Sequence, residues 1–196
     1  RADWYVLVEV ETAQHRPDLD EVVGELLADA MAAELITDGV VAQSETQAGE
    51  LRKLREQVSE AQKAEGFGVR HDVAVPIDRL VDFIRTGTAM AAEMVPAGRV
   101  VAFGHVGDGN VHFNVQSPAG DPEAAALRAA ADALAERVHD LAVEMGGTFS
   151  AEHGIGRLKR ATFARHRPLK HALGRALKDQ LDPQGLMNPG VVFDDD

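Results

Sequence analysis

A chain of 196 residues with 45 % hydrophobic content is long enough to bury one sizeable core, and a single domain over residues 1–196 is the expectation. The formal net charge of −12 argues against nucleic acid and anionic membrane surfaces as partners, since both need clustered basic charge, and favours a small molecule held locally. Cysteine is absent, so there is no disulfide framework and no thiolate chemistry, which fits a cytoplasmic setting, and no apolar run approaches the roughly 18 residues of a membrane span.

The chain opens at Arg1 directly before a strand-like segment, without a secretory h-region, and that start reads as a piece cut from a longer protein. Residues 4–10 are β-forming and predict a strand. Leu19, Val22, Leu26, Ala30 and Ala33 then recur at helical spacing, Gly39 is the expected stop, and residues 40–42 are short and β-like. Leu51, Leu54, Val58 and Ala61 mark a second helix, stopped by Gly66 and Gly68; residues 69–75 alternate as a strand that Pro76 ends. Leu80, Ile84, Thr88 and Ala91 line a third helix, followed by a hairpin over residues 99–114. The fourth helix has Asp121 at its N-cap, Pro122 at its first position and a stripe of Leu127, Ala131, Leu134, Val138, Leu141 and Met145 before Gly146-Gly147. A strand at 147–150, a basic segment at 157–167 and a helix carrying Leu169, Leu173, Leu177 and Leu181 complete the order. Turns follow at Asp182-Pro183-Gln184-Gly185 and Asn188-Pro189-Gly190. A hairpin and short connections predict an α+β fold, a largely antiparallel sheet covered by helices on one side in a ferredoxin-like arrangement.

The hairpin carries the densest chemistry, because a Gly/Asp/Asn turn sits between His105 and His112. With residues 107–110 as the loop, Val106 pairs with Val111 and His105 with His112, and opposed Cβ atoms lie about 4.5–5.5 Å apart. Two imidazoles that close can share one cation, and the period of a strand puts Asn114 on the same face as His112. The plainer reading is that these histidines cap a turn or sit hydrogen-bonded in a core. Asp108 reads as a turn former. Gly107-x-Gly109 is no dinucleotide fingerprint, since His112 stands where the third glycine belongs and a strand follows. Further on, Glu152-His153-Gly154-Ile155-Gly156 places an acid and a base beside two permissive glycines. Glu152 would complete a His/His/Glu set with a position left open, and a bend at Gly154 would leave His153 free as a general base. His15, His139, His166 and His171 read as surface residues.

Three stretches resemble one family: residues 105–112, residues 152–156, and Leu181-Asp182-Pro183 with Asn188-Pro189-Gly190. They are similar, in order and over nearly the whole chain, to the C-terminal domain of FAD-linked 2-hydroxyacid dehydrogenases, the group that includes D-lactate and D-2-hydroxyglutarate dehydrogenases and the glycolate oxidase flavin subunit. The resemblance implies that FAD is held mainly by a preceding FAD-binding domain, which these residues do not include, and that this part caps the flavin and shapes the substrate pocket. It implies His105, His112 and Glu152 as ligands of a divalent metal, zinc first and manganese or iron as alternatives. It further implies His153 as base, Arg55, Ser59, Arg70 and Asn114 as substrate contacts, and Asn188 near the flavin. Ser59 stands where some members have Thr, and Arg70 where many have Lys; a forked guanidinium in place of a point charge alters which acid is preferred.

A D-2-hydroxy acid would then be oxidised to the 2-oxo acid by hydride transfer to FAD, and the isolated chain should not turn over. Two rivals come from other classes. A His/His/Glu site also suits a metal-dependent hydrolase, which would act without flavin. A non-catalytic domain that docks on a flavin-binding partner, or assembles into homo-oligomers, would be unreactive even with metal.

Overall fold

The computed structural model describes residues 2–13, 18–117 and 123–194. They form two compact units, residues 1–61 and 62–196. In the first, α1 (Leu19–Ala32) and α2 (Glu45–Glu56) are followed by α3 (Val58–Glu65), which runs past the boundary. Local chemistry accounts for the α2 start: the Gln47 N–H donates to the Ser44 hydroxyl at 3.3 Å, while the Gln43 N–H donates to the Gln47 side chain at 2.6 Å. That is a reciprocal cap of the kind Ser-x-x-Gln supports. Helix α1 ends well before Gly39, because Glu34 adopts φ 57° and the Leu35 N–H returns to the Ala30 carbonyl at 2.9 Å. Residues 4–10 and 40–42, both expected to be β, join no ladder among the described residues. Alternation prepares a strand, but only a neighbour's N–H and C=O groups make one.

The second unit contains β1 (Gly68–Val69), β2 (Asp72–Ala74), α4 (Leu80–Met94), β3 (Arg99–His105), β4 (Asn110–Gln116), α5 (Glu123–Glu144), α6 (Arg160–His166) and α7 (Pro168–Leu181). Strand β4 is central, with β3 antiparallel along one edge and β1 and β2 antiparallel along the other. The pairs Gly68↔Gln116 and Asp72↔His112 belong to one register, so β1 and β2 are the two ends of the strand expected at 69–75. It is interrupted at Arg70-His71, where the His71 N–H turns to the Asn114 side-chain oxygen at 3.2 Å and the His71 ring Nδ1 takes the Phe113 carbonyl at 2.6 Å. Of the strand expected at 147–150, one bridge forms, Ala74↔Thr148. Across the sheet the order is Thr148, β1 with β2, β4, β3, all antiparallel, which is the ferredoxin-like order.

The sequence of β4 explains which face the helices cover. Val111, Phe113 and Val115 alternate with Asn110, His112, Asn114 and Gln116, and a period of two sends these sets to opposite faces. The apolar set joins the core with Phe83 of α4 and Leu127, Leu134 and Val138 of α5. Phe83 meets Phe113 edge to face, with centroids 5.6 Å apart. The expected cap of α5 at Asp121 and Pro122 lies outside the described residues. No described helix is long and apolar enough to cross a membrane.

The hairpin register differs from expectation. Residues 106–109 form the turn, His105 pairs with Asn110, and His112 faces Phe103 instead of His105. One further pair closes because Asn110 is wanted in the ladder: its N–H donates to Asp108 Oδ1 at 3.0 Å and its side-chain N–H₂ to Asp72 Oδ1 at 3.0 Å. His105 thereby moves toward the turn, diagonal to His112 on the same face. Gly109 makes the turn possible at φ 70°, and a Cβ there would stand 2.0 Å from the Val75 carbonyl oxygen. Gly109→Ala is therefore expected to lower unfolding free energy by more than the roughly 1–3 kcal/mol of left-handed strain alone. Urea denaturation measures it, and an unchanged midpoint would remove Gly109 from this account.

Candidate functional site

The polar face of β4 meets the loop that follows Thr148 at a single buried carboxylate, Asp72. Three successive amides close on that residue: the Ala151 N–H donates to its backbone carbonyl at 3.3 Å, and the Glu152 and His153 N–H groups donate to Oδ2 at 2.8 and 2.9 Å. The other carboxylate oxygen accepts the Asn110 amide. His112 and His153 both turn Nδ1 toward the same carboxylate, at 3.9 and 3.7 Å, and their rings stack with centroids 6.1 Å apart. Ligand atoms of Asp72, His112 and Glu152 all lie within 4.8 Å of one another. A cation can be held by such a set of nitrogen and carboxylate oxygen donors.

Burial alone would push the Asp72 carboxyl up. The N–H donors of Glu152, His153 and Asn110, with the nearby His153, outweigh that and hold it below its usual range. Lys159 faces the same interior, donating to the Phe149 carbonyl and the Ser150 hydroxyl, both at 3.1 Å. Burial lowers its pKa, and the Asp72 charge works against that.

Of the residues expected at the site, the structure brings together His112, Glu152 and His153. His105 is exposed one pair nearer the turn and outside the converging set. Asn114 lies on the face of His112, as expected, but its amide is engaged: the oxygen accepts the His71 N–H and the nitrogen donates to Gln62 Oε1 at 2.9 Å. A substrate group reaching it would have to displace one of these partners. Arg70 is exposed at the break between β1 and β2, where the shared register sets it opposite Asn114. Arg55 and Ser59 are exposed on α2 and α3 in the first unit, Arg55 with its guanidinium 3.7 Å from Glu56. Asn188 takes φ 48° in a loop pinned from several sides. Arg157 donates to the Pro189 carbonyl and Arg160 to that of Gly190, while Asp182 accepts the Leu186 and Met187 N–H groups.

Sequence reasoning missed Asp72, whose only local signal is its place beside Arg70 in a short strand. It also misjudged the histidines. His139 is buried beneath the sheet on the inner face of α5, edge-on to His71 at 5.9 Å. His166 donates from Nε2 to Asp140 at 2.7 Å, His171 is half-buried between Phe163 and Phe193, and His15 lies outside the described residues. Two recesses of about 250 and 290 Å³ are lined by α6, α7 and the residues around them and include neither His112, Glu152 nor His153. Glu152 and His153 are exposed and His112 is half-buried, so the converging set stands at an open face.

Residues 1–192 match the family described as FAD linked oxidases, C-terminal domain. The chain is similar to the mitochondrial D-2-hydroxyglutarate dehydrogenase of Danio rerio, 33 % identical over 193 residues, covering 98 % of this chain and 34 % of that protein. It is 36 % identical over 188 residues to the mitochondrial enzyme of that name from Bos taurus, covering 95 % and 33 %. Against D-2-hydroxyglutarate dehydrogenase of Xanthomonas citri pv. viticola it is 38 % identical over 160 residues, covering 81 % and 34 %. The chain thus spans about a third of the length of these relatives. Given a match over almost every residue, the chain belongs to the family of FAD linked oxidase C-terminal domains.

Proposed function

We propose that this chain is the substrate- and cation-holding part of a flavin-dependent D-2-hydroxyacid dehydrogenase that oxidises a 2-hydroxy acid to the 2-oxo acid. The observation that carries the reading is the convergence of His112 and Glu152 on one point, with His153 beside them. His112 and Glu152 are the protein ligands, and His105, on the same face of the hairpin, is the imidazole assigned to complete the set. The donor types suit zinc, and manganese or iron as alternatives. When bound, such a cation lowers the pKa of a chelated hydroxyl, and FAD on a partner domain supplies the hydride acceptor.

The residues of this chain do the rest. His153 presents Nε2 on the ring side away from Asp72, where it takes the proton of the substrate's α-hydroxyl; imidazole is the side chain that trades protons near neutral pH. Arg70, exposed on the His112 face, grips a substrate carboxylate with a two-pronged hydrogen bond. Arg55, Ser59 and Asn114 are the further candidates for substrate contact. Asn188 is the residue of the pinned tail loop assigned to the flavin. The open face supports a reading in which another protein surface completes the pocket. The relatives are named for D-2-hydroxyglutarate, which makes that acid the first substrate to try.

Zinc titration of the purified chain tests the site. One zinc is expected to bind, and His112→Ala or Glu152→Ala should weaken it by more than the roughly 10–100-fold that loss of an outer partner costs. In a flavoprotein carrying this domain, D-2-hydroxyglutarate should bleach the flavin under anaerobic conditions. Ester hydrolysis by the zinc-loaded chain without flavin would point instead to a hydrolase. A flavin left oxidised by every 2-hydroxy acid, with no hydrolysis, would leave a docking module.

A further inference from the structure

We propose that Asp72 is a positioning residue: its carboxylate stays off the cation and clamps the Glu152–His153 segment while setting the facing of both imidazoles. The inference rests on the cation reading above and assigns a role to the one member of the converging set that the sequence did not single out.

Three observations carry it. The first is occupancy. A carboxylate offers about four lone-pair positions. Oδ2 accepts two N–H groups, from Glu152 and His153, and Oδ1 accepts the Asn110 amide. What remains is one lone pair, on the oxygen facing His112. The second is direction. The successive amides of Glu152 and His153 both point at one carboxylate oxygen, the concave arrangement in which backbone N–H groups bind an anion, while the Ala151 N–H goes to the Asp72 backbone carbonyl. The third is depth. Asp72 is buried whereas Glu152 and His153 are exposed, so the carboxylate stands behind the side chains that a substrate would meet.

The same placement orients the rings. Both Nδ1 atoms face Asp72 at 3.7–3.9 Å, too long for a hydrogen bond but close enough for the charge to favour an N–H there. Nε2 is then the lone-pair nitrogen on the outward side of each ring, the cation's on His112 and the substrate's on His153. A histidine that ligates through one nitrogen and turns its other N–H to a carboxylate is the usual arrangement around bound metals.

Asparagine can replace this carboxylate without breaking the clamp. Its oxygen would accept the Glu152 and His153 N–H groups, and its nitrogen would face Asn110, whose own side-chain oxygen is buried without a hydrogen-bond partner and can flip to receive it. Alanine removes the acceptor altogether. The test is therefore the pair Asp72→Asn and Asp72→Ala in the full chain, read by amide hydrogen exchange at residues 152 and 153, by zinc affinity and by the visible bands of bound cobalt(II). Alanine is expected to speed exchange at both amides by about 10- to 100-fold, the ratio that one hydrogen bond to a charged group commands. It should weaken zinc by about 10- to 100-fold as well. Asparagine should recover most of both losses and leave the cobalt(II) bands in place. Equal zinc loss in the two variants with altered cobalt(II) bands would make Asp72 a ligand and overturn the proposal. So would unchanged exchange in Asp72→Ala, whether or not the wild type holds zinc. A wild type that binds neither metal refutes the cation reading, and the exchange result then decides the clamp by itself. If alanine fails to fold, unprotected amides at 152 and 153 in the folded asparagine variant overturn the clamp, and protected ones uphold it.

Discussion

Turnover of a D-2-hydroxy acid by a flavoprotein carrying this domain is expected to fall by about 10²–10⁴ when His153 is replaced by alanine, the range that one positioned general base contributes. The expectation follows from where the ring stands. It is exposed, it stacks beside His112, and its Nδ1 is turned toward a buried carboxylate, which leaves Nε2 for the substrate. His153 is not in the set whose ligand atoms converge, so zinc affinity should hold within a few-fold in the same variant while kcat collapses. Because the residue is exposed and its backbone N–H, not its ring, makes the tie to Asp72, thermal stability should hardly change. Stopped-flow reduction of the flavin separates proton removal from later steps. Equal rates of flavin reduction in wild type and His153→Ala would assign the base elsewhere; a loss of zinc in the variant would make His153 a ligand.

Acid is expected to destabilise the second unit between about pH 6.5 and pH 4. His71 is buried, and burial first, with the Lys159 charge adding, holds its pKa near 4 against the pull of the Phe113 carbonyl. For His139 burial again leads, the charges of His71, Lys159 and His166 push the same way, Asp140 opposes, and the result is also about 4. His71 Nε2 and His139 Nδ1 are buried without hydrogen-bond partners among the described residues, so neither ring has an acceptor waiting for a second proton. In the unfolded chain an imidazole takes its proton near pH 6.5. Below that pH the unfolded state binds more protons than the folded one, and stability falls until the folded histidines titrate. A downward shift of that size corresponds to roughly 3 kcal/mol for one histidine. The two costs do not simply add, since the rings lie against one another and the charge of His71 already enters the His139 shift. Against a total of about 5–15 kcal/mol this is a large fraction. Urea midpoints measured from pH 7 to pH 4 should drop steeply, and His139→Leu should flatten the slope. A flat profile in the wild type would mean that water reaches these rings.

Much of the fold was legible because it rests on local chemistry. The α5 stripe of Leu127, Leu134 and Val138, the spacing of Leu169, Leu173, Leu177 and Leu181 in α7 and the alternation of β4 are each written within a few turns of chain, and each element forms where the pattern puts it. The bend after Glu152 and His153 was also legible, since two glycines permit left-handed backbone, and Gly154 and Gly156 both take it at φ 72° and 56°. Residues 4–10 show the limit of such reasoning. Their pattern is that of a strand, but a ladder is made by a partner, and no described residue supplies one.

The histidines show the same limit from the other side. His139 reads as surface by composition, yet it lies on the face of α5 that turns inward, and only packing against His71 and Phe149 makes it a buried neutral ring. The hairpin turn was placed within one residue, but the ladder gained the pair His105↔Asn110 and with it a different partner for His112. A shift of this kind depends on which side chains the ladder can satisfy, here Asn110 with Asp72 and Asp108, and that is settled between strands.

By itself the sequence determined the family, most of the helices and the antiparallel hairpin, because periodicity, turn residues and short motifs act over a few positions. The tertiary structure decided which of them meet. Asp72 and Glu152 are 80 residues apart, and what joins them is the bridge between Ala74 and Thr148 that lays the 151–153 loop over the start of β2. Three amides then need acceptors, and Asp72 supplies them all, its backbone carbonyl for Ala151 and its buried carboxylate for Glu152 and His153.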